Sequence, residues 1–197
     1  RRRLAKNHAC LLLFSSGTPM ILGGDEFLRT QGGNNNAYCQ DNPISWFDWG
    51  EVERNADMVA FFRKAIAFTK RYTILQRRKF FTGADLDGNA VPDIQWFGED
   101  LAPPRWDDPE GRLLCLLLDG NEEPSEAGPY FLFLVLNADH RQREVMVPPL
   151  PGIRWLRAID TSLPAGEEIA ENGDGPLLDP ADRYLVNPRT TVVLLGK

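Results

Sequence analysis

The apolar residues of this chain change period near residue 76, and that change constrains the fold more than any other feature. Before it, Met58, Phe61, Phe62, Ala65, Ile66, Thr69 and Tyr72 recur at three- and four-residue spacing, the repeat of one helical face. Asn55 stands ahead of them as an N-cap, Asp57 falls in the first turn, and Lys70 and Arg71 sit where the helix dipole favours cations. A second helix is expected over residues 3–15, with Leu4, His8, Leu11, Leu12 and Ser15 on its core face. His8 on that face reads as a core histidine, not a ligand or base. Gly17 ends this helix and Pro19 prevents its continuation.

After residue 76 the pattern is one of short strands. Residues 112–119, 130–137, 143–147, 153–159 and 190–195 read as strands, divided by turns rich in Gly, Pro, Asp and Glu. Leu132, Leu134 and Leu136 alternate with Phe131, Phe133 and Val135, so both faces of that strand should be buried. Ile153 and Trp155 flank Arg154, a one-sided strand with Trp155 inward. Strands at this spacing imply an antiparallel sandwich. Residues 83–111 and 163–180 are expected to be long surface loops.

Between the two helices lies a stretch of different character. Residues 19–22 form a short apolar run bounded by glycines, as a buried strand of a parallel barrel would. Residues 23–55 have no period and are rich in Gly and Asn. A loop this long inside a compact domain is usually functional or else a misassignment.

The formal charge of -6 argues against nucleic-acid or acidic-membrane binding, which need a basic surface. A neutral polysaccharide is compatible with it. No apolar run approaches the ~20 residues that span a bilayer, and Arg1-Arg2-Arg3 is not followed by a signal-peptide pattern. Cys10, Cys39 and Cys115 are odd in number and widely spaced. They read as reduced, buried thiols of a cytoplasmic protein, without a metal site or a cofactor.

Two runs carry a resemblance. Gly17-Thr18-Pro19-Met20-Ile21-Leu22-Gly23-Gly24-Asp25-Glu26 resembles the last strand of an α-amylase-type barrel. Gly32-Gly33-Asn34-Asn35-Asn36-Ala37-Tyr38-Cys39-Gln40-Asp41-Asn42 resembles, more specifically, the isoamylase and bacterial glycogen-debranching branch of that superfamily. Ile44-Ser45-Trp46-Phe47-Asp48-Trp49 is similar to that branch's Ile-Ser-Trp-x-Asp-Trp, although Pro43 stands where the branch usually has Glu. Asp93-Ile94-Gln95-Trp96-Phe97 and Trp106-Asp107-Asp108-Pro109 also resemble it.

The resemblance implies an α+β chain: the remnant of the last β/α unit of a (β/α)8 barrel over 1–75, then an antiparallel C-terminal β-sandwich over 76–197. It implies a parent enzyme that hydrolyses α-1,6 branch linkages of glycogen, limit dextrin and related α-glucans with retention. The family's nucleophilic Asp, acid/base Glu and stabilising Asp lie on earlier barrel strands, and none of their motifs occurs here. No catalytic residue is therefore assigned, and the chain alone is expected to be inactive. Without barrel neighbours, surfaces bearing Leu12, Phe61 and Phe62 should repack on the sandwich, form a dimer or stay disordered.

Asp25 and Glu26 are the tempting acid pair. On a strand, adjacent side chains point to opposite faces and cannot easily converge on one bond. The resemblance gives them a structural, barrel-closing role. Tyr38, with a ring face for a sugar, and Asp41, an acceptor for hydroxyls, are read as substrate contacts. Asn35 and Asn36 stand between two readings: amides for sugar hydroxyls, or partners for the loop's own backbone. Trp46, Phe47 and Trp49 are read as packing the loop onto its scaffold, and Trp96 and Trp106 as buried at a domain seam. Two alternatives remain, a carbohydrate-binding module and a purely structural cap. The first needs an exposed aromatic platform on the sandwich.

Overall fold

A computed structural model describes residues 1–123 and 125–197. Among the described residues three α-helices come first: α1 (Arg2–Phe14), α2 (Gly50–Arg54) and α3 (Ala56–Arg71). Seven strands follow among the described residues: β1 (Ile94–Phe97), β2 (Leu113–Asp119), β3 (Phe131–Asn137), β4 (Arg143–Met146), β5 (Trp155–Asp160), β6 (Arg183–Val186) and β7 (Thr190–Gly196). A five-stranded antiparallel sheet has the order β1-β2-β3-β7-β5, and β4 pairs with β6 in a separate ribbon.

The five-stranded sheet is the middle of three layers. Leu116, Leu118, Leu132, Leu134, Val193 and Leu195 pack with the helices. Cys115, Leu117, Phe133, Val135, Val192 and Leu194 pack with Val145 and Val186 of the ribbon. The alternation along β3 therefore buries both faces, as the sequence pattern requires. Trp155 is buried and donates from Nε1 to the Pro148 carbonyl at 3.0 Å. The sandwich is lopsided, because its second sheet has only two strands and helices cover the other face.

α1 turns a different face inward from the one its apolar spacing predicts. Its buried side carries Lys6, Asn7, Ala9, Cys10, Leu13 and Phe14, while Leu4, His8, Leu11 and Leu12 are exposed. Polar groups can face this core because each finds a partner. Lys6 pairs with buried Glu168. Asn7 Oδ1 accepts from Thr161 Oγ1 at 2.5 Å and from the Thr191 N–H at 3.2 Å, and its Nδ2 donates to the Arg189 carbonyl at 2.7 Å. Phe61 and Phe62 are buried, whereas Leu12 remains exposed. The helices thus pack on the sheet, the first of the three outcomes considered for these surfaces.

Residues 19–22 form no strand; Met20 and Leu22 are exposed. An apolar run becomes a strand only beside a partner, and none of the described strands lies against it. The two expected long loops also carry more structure than predicted. Residues 83–111 contain β1, and 163–180 contribute buried Ile169 and Leu178 and bridges to β5. Ahead of β1 the chain is locked by Asp93, whose carboxylate is fully buried and accepts from Arg77 Nη1 at 2.8 Å, the Thr82 N–H at 2.9 Å and the Gly83 N–H at 2.7 Å.

Candidate functional site: the 17–50 segment

Asp25, Glu26 and Phe27 form a 3-10 turn, not the end of a strand. The Asp25 N–H donates to the Leu22 carbonyl at 3.1 Å, and the Phe27 and Arg29 N–H groups both donate to the Gly24 carbonyl, at 3.1 and 2.9 Å. Glu26 folds back so that its Oε2 accepts from the Gly24 N–H at 2.9 Å. Gly24 has φ 101, and a Cβ there would lie 2.7 Å from Arg29 Cβ and 2.9 Å from Phe47 Cε1. Only glycine lets Arg29 and Phe47 close over this turn.

Phe27 is buried and anchors the segment. Its ring meets Phe47 at 6.1 Å and Trp49 at 6.0 Å, and those two meet each other at 5.4 Å. The Arg29 guanidinium lies 4.7 Å above the Phe47 ring and donates from Nη2 to the Ser45 carbonyl at 2.6 Å. From below, Asn55 Nδ2 donates to the Phe27 carbonyl at 2.9 Å and to Glu51 at 2.7 Å, while its Oδ1 accepts from Arg2 at 2.7 Å. Asn55 holds the N-cap position of α3, yet its side chain makes no capping bond. Burial gives it this longer-range work instead. Neither Arg29 nor the tie made by Asn55 follows from local pattern; the one signal is an arginine with no neighbouring base in a Gly- and Asn-rich loop.

Within the loop, the asparagines satisfy the backbone. Asn34 Oδ1 accepts from the Asn36 N–H at 2.8 Å, Asn36 Oδ1 from the Tyr38 N–H at 3.2 Å, and Asn42 Oδ1 from the Ile44 N–H at 3.0 Å. Such turns are what the side-chain amide is suited to. Asn35 is exposed. Tyr38 is 95% exposed. Asp41 Oδ1 accepts from Trp46 Nε1 at 2.9 Å, so the carboxylate is oriented while Oδ2 stays open to a donor. Phe47 and Trp49 stack against Phe27 as expected but stay exposed on their outer sides, and Trp46, also exposed, serves Asp41. A shallow cavity of about 300 Å³, lined in part by Asp25, Arg29, Thr30 and Asn34, opens beside the turn.

Of the three cysteines, Cys10 and Cys115 are buried, and burial pushes the Cys115 thiol up to about 12. Cys39 departs from the expectation and is exposed. Trp96 and Trp106 depart too. Both are exposed, not sealed in a seam, and their rings meet at 5.7 Å and 72°. No described helix is long and apolar enough to cross a membrane.

No protein-family model matches the chain. It is 38% identical over 178 residues to a glycogen operon protein GlgX homolog of Mycobacterium tuberculosis, covering 85% of this chain and 25% of that protein. It is 32% identical over 166 residues to the isoamylase of a Flavobacterium species, covering 82% of this chain and 21% of the relative. The chain therefore spans about a quarter of the length of these curated relatives. In three dimensions it is similar to a type I pullulanase from Bacillus subtilis, solved in complex with maltose. The TM-score is 0.70 at 20% identity, over 98% of this chain and 23% of the pullulanase, a likeness of fold.

Proposed function

We propose that this chain, which belongs to the isoamylase and GlgX family of the α-amylase superfamily, supplies a glucan-contacting loop and a C-terminal sheet domain to a debranching glycosidase. The whole enzyme cleaves α-1,6 branch linkages of glycogen and related glucans with retention, in the cytoplasm. In this reading residues 1–75 complete the catalytic barrel, residues 76–197 form the C-terminal domain, and the bond-breaking carboxylates lie outside the chain.

The geometry of the Asp25–Phe27 turn carries this reading. Retention needs two carboxyl groups about 5–5.5 Å apart that flank one glycosidic bond. Successive side chains on a 3-10 turn diverge by roughly a third of a revolution, and Glu26 is bound to its own backbone. Glu26 therefore holds the turn through its carboxylate and Asp25 through its backbone, with Gly24 beneath Arg29, and neither does chemistry. The sugar contacts fall to Tyr38 and the free oxygen of Asp41, with Asn35 and the amide of Asn36 beside them. A packed aromatic base of Phe27, Phe47 and Trp49 keeps them in place, and the unpaired thiols suit a reducing compartment.

Calorimetric titration of the chain with maltoheptaose tests the assignment. Tyr38→Ala should weaken binding about tenfold or more, the effect of losing one well-buried aromatic contact. Asp41→Asn, which removes charge but keeps an acceptor, should cost less. Affinity unchanged in both variants contradicts the loop's role.

A further inference from the structure

We propose that Trp96 and Trp106 form a second α-glucan contact, on the edge of the five-stranded sheet and separate from the Tyr38 loop. It rests on reading the chain as part of a glucan-acting protein, but it uses a different set of residues.

Trp96 lies on β1, an outer strand of the sheet. Strand side chains alternate between faces. Ile94 packs into the core shared with the helices, and Phe97 into the core beneath the ribbon. Trp96 therefore shares the helix-side face with Ile94, at a place the helices leave uncovered, and it is 40% exposed. Trp106, on the loop after β1, is 69% exposed and meets the Trp96 ring edge to face, at 5.7 Å. The two indoles make a corner of open aromatic surface held by a strand and a loop.

The surrounding charge selects the occupant. Residues 98–111 carry Glu99, Asp100, Asp107, Asp108 and Glu110 against a lone Arg105. An anionic ligand, whether nucleic acid, phosphate or acidic lipid, would be repelled. A cationic ligand gains little either. Glu99 is paired with Arg143 at 2.6 Å, Asp108 with Arg105 at 2.9 Å and Glu110 with Arg112 at 3.5 Å. What remains is an aromatic corner with the exposed Asp107 next to Trp106 in the chain. That combination suits a neutral, hydroxyl-rich ligand with an apolar ring face, hydroxyls donating to a group such as Asp107. An α-glucan chain meets that description.

Electrophoresis of the full 197-residue chain through glycogen-containing gels provides the test, with circular dichroism confirming that each variant is folded. Trp106→Ala should reduce the apparent glycogen affinity about tenfold. Trp106→Phe, which keeps a ring, should retain most of it. In a Tyr38→Ala background the residual retardation should disappear on adding Trp106→Ala. Equal retardation of Trp106→Ala and the unaltered chain overturns the proposal, and so does an unaltered chain that glycogen does not retard. Loss through Tyr38→Ala alone leaves the loop's role standing and removes this one; loss through Trp106→Ala alone does the reverse.

Discussion

From one side chain inside α1, Asn7 reaches Thr191 on β7, Thr161 just after β5 and Arg189 just before β7. Asn7→Leu should cost roughly 1–3 kcal/mol, because it leaves buried polar groups unpaired, and the urea midpoint of unfolding reads that loss. Nothing in the sequence marks Asn7, because its value depends on partners more than 150 positions away. Asn55 shows the same limit: its position at the start of α3 is legible, but its side-chain bonds to Phe27 and Glu51 are not. Gly24 can be tested directly. Gly24→Ala places a methyl against Arg29 and Phe47 and should loosen the loop while the sheet stays intact, seen as faster proteolysis within 28–49 with unchanged β-sheet dichroism. Among the thiols, Cys39 should react at once with an aromatic disulfide reagent, and Cys10 and Cys115 only after unfolding.

At the scale of elements, legibility followed burial. β2, β3 and β7 are apolar on both faces and stand out. β1 and β6 have four residues each and mix Gln, Arg and Tyr with apolar positions, so neither period nor length separates them from loop. The 19–22 run failed for the opposite reason, since it is apolar but has no strand beside it. α1 was legible as a helix and misread in orientation, because its leucine stripe faces outward and its inner face depends on the Lys6–Glu168 pair. The segment before β1 is held by the Asp93 carboxylate. Burial raises its pKa, but the backbone bonds from Thr82 and Gly83, with Arg77, outweigh that and hold it below the usual carboxylate range. A depressed folded pKa gives stability that is complete above the unfolded value of about 3.9 and is lost as pH falls through the folded value. Asp93→Asn should therefore destabilise the chain at neutral pH and flatten the acid limb of its stability profile, measured by denaturant unfolding at a series of pH values.

For the whole molecule, the central sheet has two cores and needs both coverings. A chain cut to residues 76–197 would bare Leu116, Leu118, Leu132, Leu134, Val193 and Leu195, which α1 and α3 cover. Each buried side chain of that size contributes about 1.5–3 kcal/mol. The truncated piece should aggregate or lose cooperative unfolding, while the 197-residue chain unfolds in one transition; a soluble, cooperatively folding piece would show that the helices are dispensable. The candidate loop was legible as a stretch from its Gly- and Asn-rich composition without a period, although Gly50–Arg54 at its end is helical. Its working parts were less so: Asn34 and Asn36 bond the backbone, and Trp96 and Trp106, read as buried, are exposed. On the proposed reading the chain contacts glucan without cleaving it, so the purified 197-residue chain, folded and β-rich, should release no reducing sugar from branched limit dextrin. Release that Asp25→Ala or Glu26→Ala abolishes would contradict it and make that turn the site of catalysis.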